Sequence, residues 1–112
     1  MAGKFEIKKS TTGQFMFNLK AGNHEVILTS ELYHQKQSAI NGVDSVRANA
    51  MDDHQYHRKN AKNGSPYFVL KAANGEVIGK SEMYSSATAL ENGIESVKKN
   101  ALTAAVQDLT TN

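Results

Sequence analysis

The sequence predicts an α+β domain in which two tandem β(3)-α repeats form one antiparallel sheet of six to seven strands. Two helices pack on one face of that sheet, and a pseudo-twofold relates the halves. Three observations carry this. Sliding the chain on itself by 51 residues aligns Lys4–Ala50 with Gln55–Ala101 without a gap, and 19 of the 47 pairs are identical. Each copy opens on residues that alternate with the two-residue period of a half-buried strand. Each copy then closes on apolar residues spaced as one face of a helix.

The length of 112 residues fits one domain. A copy of about 50 residues is near the lower limit for an independent core, so the two copies are expected to share one. Repeat 1 covers about 4–50 and repeat 2 about 55–101. The segment between them, Met51-Asp52-Asp53-His54-Gln55, is too short to be a flexible linker.

In the first copy, Phe15, Phe17 and Leu19 alternate with Met16, Asn18 and Lys20, and Phe68 and Leu70 keep the same phase in the second. Phe5-Glu6-Ile7-Lys8 and Tyr56-His57-Arg58-Lys59 form the opening strands, and Glu25-Val26-Ile27 and Glu76-Val77-Ile78 begin the third. The strands are expected at roughly 5–9, 15–20 and 25–30, then 56–60, 67–71 and 76–81. Connections this short allow only a meander. Asn63-Gly64 and Asn74-Gly75 favour type I′ hairpin turns, whereas His24 replaces the second glycine in the first copy. Lys20 with Glu25, and Lys71 with Glu76, flank their turns and are placed to pair across them.

The period then changes. Ala39, Val43, Val46 and Ala50 fall on one helical face, and Leu90, Ile94, Val97 and Ala101 repeat the spacing. Ser85 or Ser86 suits the N-cap of the second helix, while His34 and Gln35 make a poorer start for the first. Arg47, Lys98 and Lys99 complement the helix dipoles, and Asn49 and Asn100 suit a left-handed C-terminal residue. Gly42 and Gly93 sit mid-helix at a cost of about 1 kcal/mol each relative to alanine, which points to a close approach there. Beyond the second helix, about 105–109 falls in the register of the opening strands. It is expected to be a closing strand that pairs with the other copy.

Composition narrows the function classes. The chain is 39% hydrophobic and 21% charged, with a formal charge of +2 that by itself implies no nucleic acid. Without cysteine there is no disulfide, thiolate metal site or thiol nucleophile. No apolar signal core and no run near the ~18 residues of a membrane helix is present, so a cytoplasmic location is expected.

Several motifs resemble one family. Lys20-Ala21-Gly22-Asn23, Ser30-Glu31-Leu32-Tyr33 and Gly42-Val43-Asp44-Ser45-Val46-Arg47-Ala48-Asn49 look like the YegP-like family, also called DUF1508 or UPF0339. Lys71-Ala72-Ala73-Asn74, Ser81-Glu82-Met83-Tyr84 and Gly93-Ile94-Glu95-Ser96-Val97-Lys98-Lys99-Asn100 match in the second copy. The resemblance implies a small, mostly bacterial protein of tandem β(3)-α units, or dimers of single units, on a shared sheet. It implies no established activity and transfers no catalytic residue.

Four constellations bear on chemistry. Asp52, Asp53, His54 and His57 carry metal-ligating groups, but the first copy has no equivalent cluster and no metal site is assigned. No nucleophile elbow is present, no histidine recurs between copies, and the duplicated Glu25, Glu31, Glu76 and Glu82 suit no acid–base pair, so the chain reads as a non-enzyme. Lys8, Lys9, Arg58, Lys59 and Lys62, near Phe5 and Tyr56, are the candidates for a basic, partly aromatic sheet surface that binds nucleic acid. Tyr33 and Tyr84, with Ser30, Ser81, Asn41 and Asn92, are the candidates for two equivalent ligand pockets, set against a purely structural role at the strand-to-helix junctions. The reading is a non-catalytic binding or assembly module without cofactor. Its partner is an unidentified protein, and the chain is a monomer or homodimer without membrane attachment. The alternatives are a weak nucleic-acid-binding module, and a small-ligand protein or enzyme with its site at the repeat interface.

Overall fold

In a computed structural model, each repeat folds as an antiparallel three-stranded meander followed by a helix; residues 3–110 are described. The first repeat comprises β1 (Lys4–Lys9), β2 (Phe15–Lys20), β3 (Val26–Thr29) and α1 (Lys36–Asn49). The second comprises β4 (Tyr56–Asn60), β5 (Pro66–Lys71), β6 (Val77–Lys80) and α2 (Ala87–Ala101). One 3-10 turn at Asp53–Gln55 joins them, and β7 (Ala105–Asp108) follows α2.

All seven strands form one sheet in the order β4-β5-β6-β3-β2-β1-β7, so the meanders meet along β3 and β6. Thr29 pairs there with Lys80, its own counterpart at the 51-residue offset. Equivalent residues facing each other across an antiparallel pair put the pseudo-twofold between them, perpendicular to the sheet. Such an axis returns each helix to the same side, and both cover one face.

The closing strand does pair with the other copy, lying beside β1, but in parallel. The sheet is therefore mixed rather than wholly antiparallel. A tight hairpin forces reversal, whereas a crossover of helix length permits either direction, so strand alternation alone did not settle this pair.

The helical stripes and the inward strand residues are buried as their spacing requires. Phe5 packs edge-on to Phe17 with centroids 5.9 Å apart, and the equivalent Tyr56 and Phe68 do the same at 5.6 Å. Register shifts between Leu19 and Lys20, and between Leu70 and Lys71, mark a β-bulge in each copy. The extra residue turns Ile27 and Leu28 inward together and rotates Val26 to the uncovered face. At the axis the copies differ: a Cβ on Gly79 would lie 2.6 Å from the Leu28 side chain. Leu28 thus fills the room that its own counterpart leaves empty.

The turns differ from the type I′ expectation. In the turn between β5 and β6, Gly75 N–H donates to Ala72 O at 2.9 Å and Ala72 N–H to Glu76 O at 2.8 Å. Positive φ occurs at Gly75 alone there, which makes a three-residue loop with one left-handed position. Asn74 instead accepts from Glu76 N–H at 3.0 Å, an Asx bond that fixes the loop. His24 takes the glycine position in the first copy at φ 70°. A left-handed histidine costs more than glycine does, even after glycine's larger entropy loss. His24→Gly is expected to raise the unfolding free energy by about 0.5–1 kcal/mol in a denaturant titration.

Helix ends also divide. Ser86 accepts from Ala89 N–H at 3.1 Å, while Gln35 caps α1 without a side-chain bond. Asn49 and Asn100 are not left-handed; both helices continue past them in right-handed backbone. Their side-chain amides donate to Ser45 O at 2.9 Å and Ser96 O at 2.8 Å instead.

β7 is held by its ladder and by two polar ties. Arg47 donates to Ala104 O at 2.7 Å, and Asp108 forms an ion pair with Lys36 at the start of α1. Lys36, then Thr110, hold the Asp108 carboxyl at about 2. A carboxyl depressed by folding stabilises above its ordinary value near 4, and loses that contribution as pH falls through the folded value. Amide protection of β7 is therefore expected to drop between about pH 4 and pH 2. Equal protection across that range, measured against β2, would refute the tie.

Candidate functional site

With both helices on one side, the other face of the sheet is uncovered. Glu6 lies on it, yet is 5% exposed, because three lysines fold over it. Lys20 approaches to 3.0 Å, Lys4 to 3.4 Å and Lys8 to 3.6 Å. Burial pushes the Glu6 carboxyl up, but Lys20, Lys4 and Lys8 together outweigh it and hold the group below its ordinary value. Nearby, Asn18 donates to Thr29 Oγ1 at 2.9 Å, and the Lys80 ammonium sits 5.0 Å from the Tyr67 ring.

The pseudo-twofold opens onto this face as a groove of about 830 Å³. Val26, Thr29, Val77 and Lys80 line it along the strands, and Glu25, Glu31, Leu32 and Glu82 also border it. The bulges built the strand lining, since they turned Val26 and Val77 outward. Leu32 brings to the lining an apolar side chain that is 51% exposed; its counterpart Met83 is 52% exposed. Burial first, then Glu31 and Glu76, raise the Tyr33 hydroxyl pKa; burial, then Glu82 and Glu25, raise that of Tyr84. Each tyrosine thus feels a carboxylate from the opposite copy, and Glu25, Glu31 and Glu82 border the groove. Lys80 is the single cation in the groove lining. Among the described residues no histidine lines it, so its ionisable groups are carboxylates and one ammonium.

The tyrosine, serine and asparagine candidates do not converge on a pocket. Ser30 Oγ accepts from Phe17 N–H at 2.8 Å and donates to Glu31 O at 2.8 Å. Ser81 repeats this with Phe68 N–H at 2.9 Å and Glu82 O at 2.7 Å. Both hydroxyls are used by the junction, although their residues border the groove. Tyr33 and Tyr84 turn their hydroxyls toward the helices, where Gly42 and Gly93 leave room for them. Asn41 and Asn92 are exposed on the helices, with Asn41 accepting from Gln37 at 3.1 Å.

The basic candidates are split. Lys8 and Lys9 belong to β1, Arg58 and Lys59 to β4, and five strand spacings separate those strands, about 24 Å. Lys8 is engaged by Glu6, and Lys9 lies 5.5 Å from the Phe15 ring. Arg58 makes a two-pronged pair with Glu91 at 2.6 and 2.9 Å. Phe5 and Tyr56 are buried, so neither of these rings is offered beside the basic residues. Lys62 follows β4 in the turn to β5 and is exposed. Lys20 pairs with Glu6, not with Glu25 across its turn.

Among the described residues, no group of three or more metal-ligating side chains converges. Asp53 instead accepts from Lys98 at 3.1 Å. The groove's carboxylates were visible in the sequence as duplicated glutamates. Val26, Val77 and Lys80 were not, because only the bulge puts them on the same face as one another.

A family model described as "Domain of unknown function (DUF1508)" matches residues 10–56 and 61–108. Each matched span starts in or beside a hairpin turn and ends in the strand after a helix. A UPF0339 protein of Shewanella oneidensis is 54% identical over 110 residues, covering 98% of this chain and 100% of that protein. UPF0339 protein YegP of Escherichia coli is also 54% identical over 110 residues, with the same coverage. Among solved structures, the solution NMR structure of a UPF0339 protein from Shewanella oneidensis superposes with a TM-score of 0.92 at 54% identity, covering 98% of this chain and 93% of that one. The solution NMR structure of the Escherichia coli protein of unknown function yegP gives 0.94 at 53%, covering 100% and 97%.

Proposed function

The chain belongs to the DUF1508 family, and we propose that it is a cytoplasmic, non-catalytic binding module whose axial groove takes a cationic, partly apolar segment of a protein partner. The observation that carries this is the groove's composition: three glutamates, Glu25, Glu31 and Glu82, against one lysine, with Val26, Val77 and the exposed Leu32 as apolar lining. Fixed carboxylates favour a cation and disfavour phosphate, while the apolar lining adds burial that a purely ionic partner would not use. The same charge pattern stands against the nucleic-acid reading, as does the 24 Å separation, about five strand spacings, of the basic flanks.

Titration of the ¹⁵N-labelled protein with a lysine–leucine amphipathic peptide, and separately with single-stranded RNA, tests it. The peptide is expected to shift groove amides, and Glu31→Gln with Glu82→Gln to weaken binding about tenfold at low salt. RNA is expected to leave the groove unchanged. RNA binding with no peptide response would reverse the assignment.

A further inference from the structure

The pseudo-twofold that relates the repeats is broken at the two ends of the sheet. At one end β7 lies on the outer edge of β1, in register Phe5 with Val106 and Ile7 with Asp108. At the other, no strand among the described residues pairs with the outer edge of β4. The asymmetry follows from covalent order, because the segment after α1 cannot lie beside β4 when it continues into β4 itself. Leu109 N–H donates to Ile7 O at 2.9 Å, so the backbone of Ile7 points outward to the closing strand. Arg58 is the counterpart of Ile7. Its N–H and C=O point away from β5 in the same way, toward solvent.

Beside that edge lies a cleft of about 190 Å³ between β4 and α2, lined by Arg58, Pro66, Ala87, Leu90 and Glu91 among others. The equivalent place in the first repeat holds Asp108 against Lys36. Ala87 is the counterpart of Lys36 and Leu90 of Ala39, so an apolar wall stands where Asp108 would find its cation, while the Arg58–Glu91 ion pair borders the cleft in place of Ile7 and Ile40.

We propose that the outer edge of β4 is a strand-acceptor site. Its occupant is an extended segment of a partner protein, laid parallel to β4 as β7 is to β1, with an apolar side chain where β7 carries Asp108. The fold itself displays the geometry of such an occupant on the equivalent edge. Arg58 and Lys59 on the edge disfavour pairing between β4 strands of two copies, as edge cations do elsewhere, and leave an uncharged or acidic segment as the match. This site is separate from the axial groove, and neither assignment depends on the other.

Two seven-residue peptides serve as probes: the chain's own Ala104–Thr110 sequence, and that sequence carrying D108L. At millimolar concentration both are expected to shift the amides of Tyr56–Asn60 in the full-length protein and to slow hydrogen exchange at Arg58. The D108L peptide is expected to bind about tenfold tighter, because its leucine enters the cleft. Arg58→Pro removes the outward N–H and is expected to abolish binding, whereas Arg58→Ala retains the N–H and binding. Unchanged exchange at Arg58 in the wild-type protein at saturating peptide overturns the proposal, as does equal binding by a folded Arg58→Pro variant. The exchange measurement decides the matter even if that variant fails to fold.

Discussion

Gly93→Ala is expected to lower the unfolding free energy by about 3 kcal/mol, against the gain of about 1 kcal/mol that alanine brings to an unobstructed helix interior. A Cβ at that position would lie 2.2 Å from the Tyr84 hydroxyl and 2.6 Å from the ring carbon bearing it. The ring has little freedom to retreat, because it stacks on Phe68 with centroids 6.3 Å apart and planes 8° from parallel. The Tyr84 hydroxyl is itself buried without a hydrogen-bond partner among the described residues. Tyr84→Phe is therefore expected to be near neutral alone, and to recover much of the loss in combination with Gly93→Ala. Denaturant titration of the two single variants and the double variant supplies the cycle. A Gly93→Ala protein as stable as wild type would show that the close approach is not what excludes a side chain. Gly42→Ala should cost less, since its nearest contacts are 2.7 Å to Phe17 and 2.9 Å to the Tyr33 hydroxyl.

Gly79→Leu is expected to cost about 3 kcal/mol as well, by a different route. Leu28 is fully buried, and its side chain occupies the volume beside Gly79 at the pseudo-twofold. Two leucines at symmetric positions would compete for one space, as they would in any assembly of identical units on this axis. The exchange Leu28→Gly with Gly79→Leu places one leucine there again and is expected to restore most of the stability. Loss of the fold in the exchanged variant, with both single variants folded, would mean that the surrounding core is not symmetric enough to accept it.

The meanders and helical faces were legible in the sequence because each rests on local periodicity. Phe17 and Leu19 declare a strand, and Val43 and Val46 a helix, whatever surrounds them. The repeat added what a single copy lacks, confirmation in a second context, and it located β7 by register. What stayed hidden depends on neighbours that are remote in sequence. The direction of β7 depends on where α2 crosses the sheet. The bulge at Leu19–Lys20 is a register shift with no glycine to announce it, and it alone turns Val26 into the groove. Asn49 and Asn100 misled for a local reason: the asparagine that suits a left-handed cap can equally return its amide to the carbonyl one turn earlier. The basic stretch misled because equivalent strands lie adjacent in the repeat alignment but at opposite flanks of the sheet.

The pairing of β1 with β7 joins Lys4 to Ala105, nearly the full length of the chain. On the ribosome, the first meander and α1 emerge long before the segment that will cover β1, so that edge stays bare through most of translation. Folding during synthesis can proceed as far as joining the two meanders, yet the last ladder waits until β7 emerges. A contact so remote also slows folding in the isolated protein, because a loop of about a hundred residues must close before it returns any energy. Of the two strands in that ladder, β1 is synthesised about a hundred residues before β7, and the nascent chain carries an adhesive edge on β1 until β7 emerges.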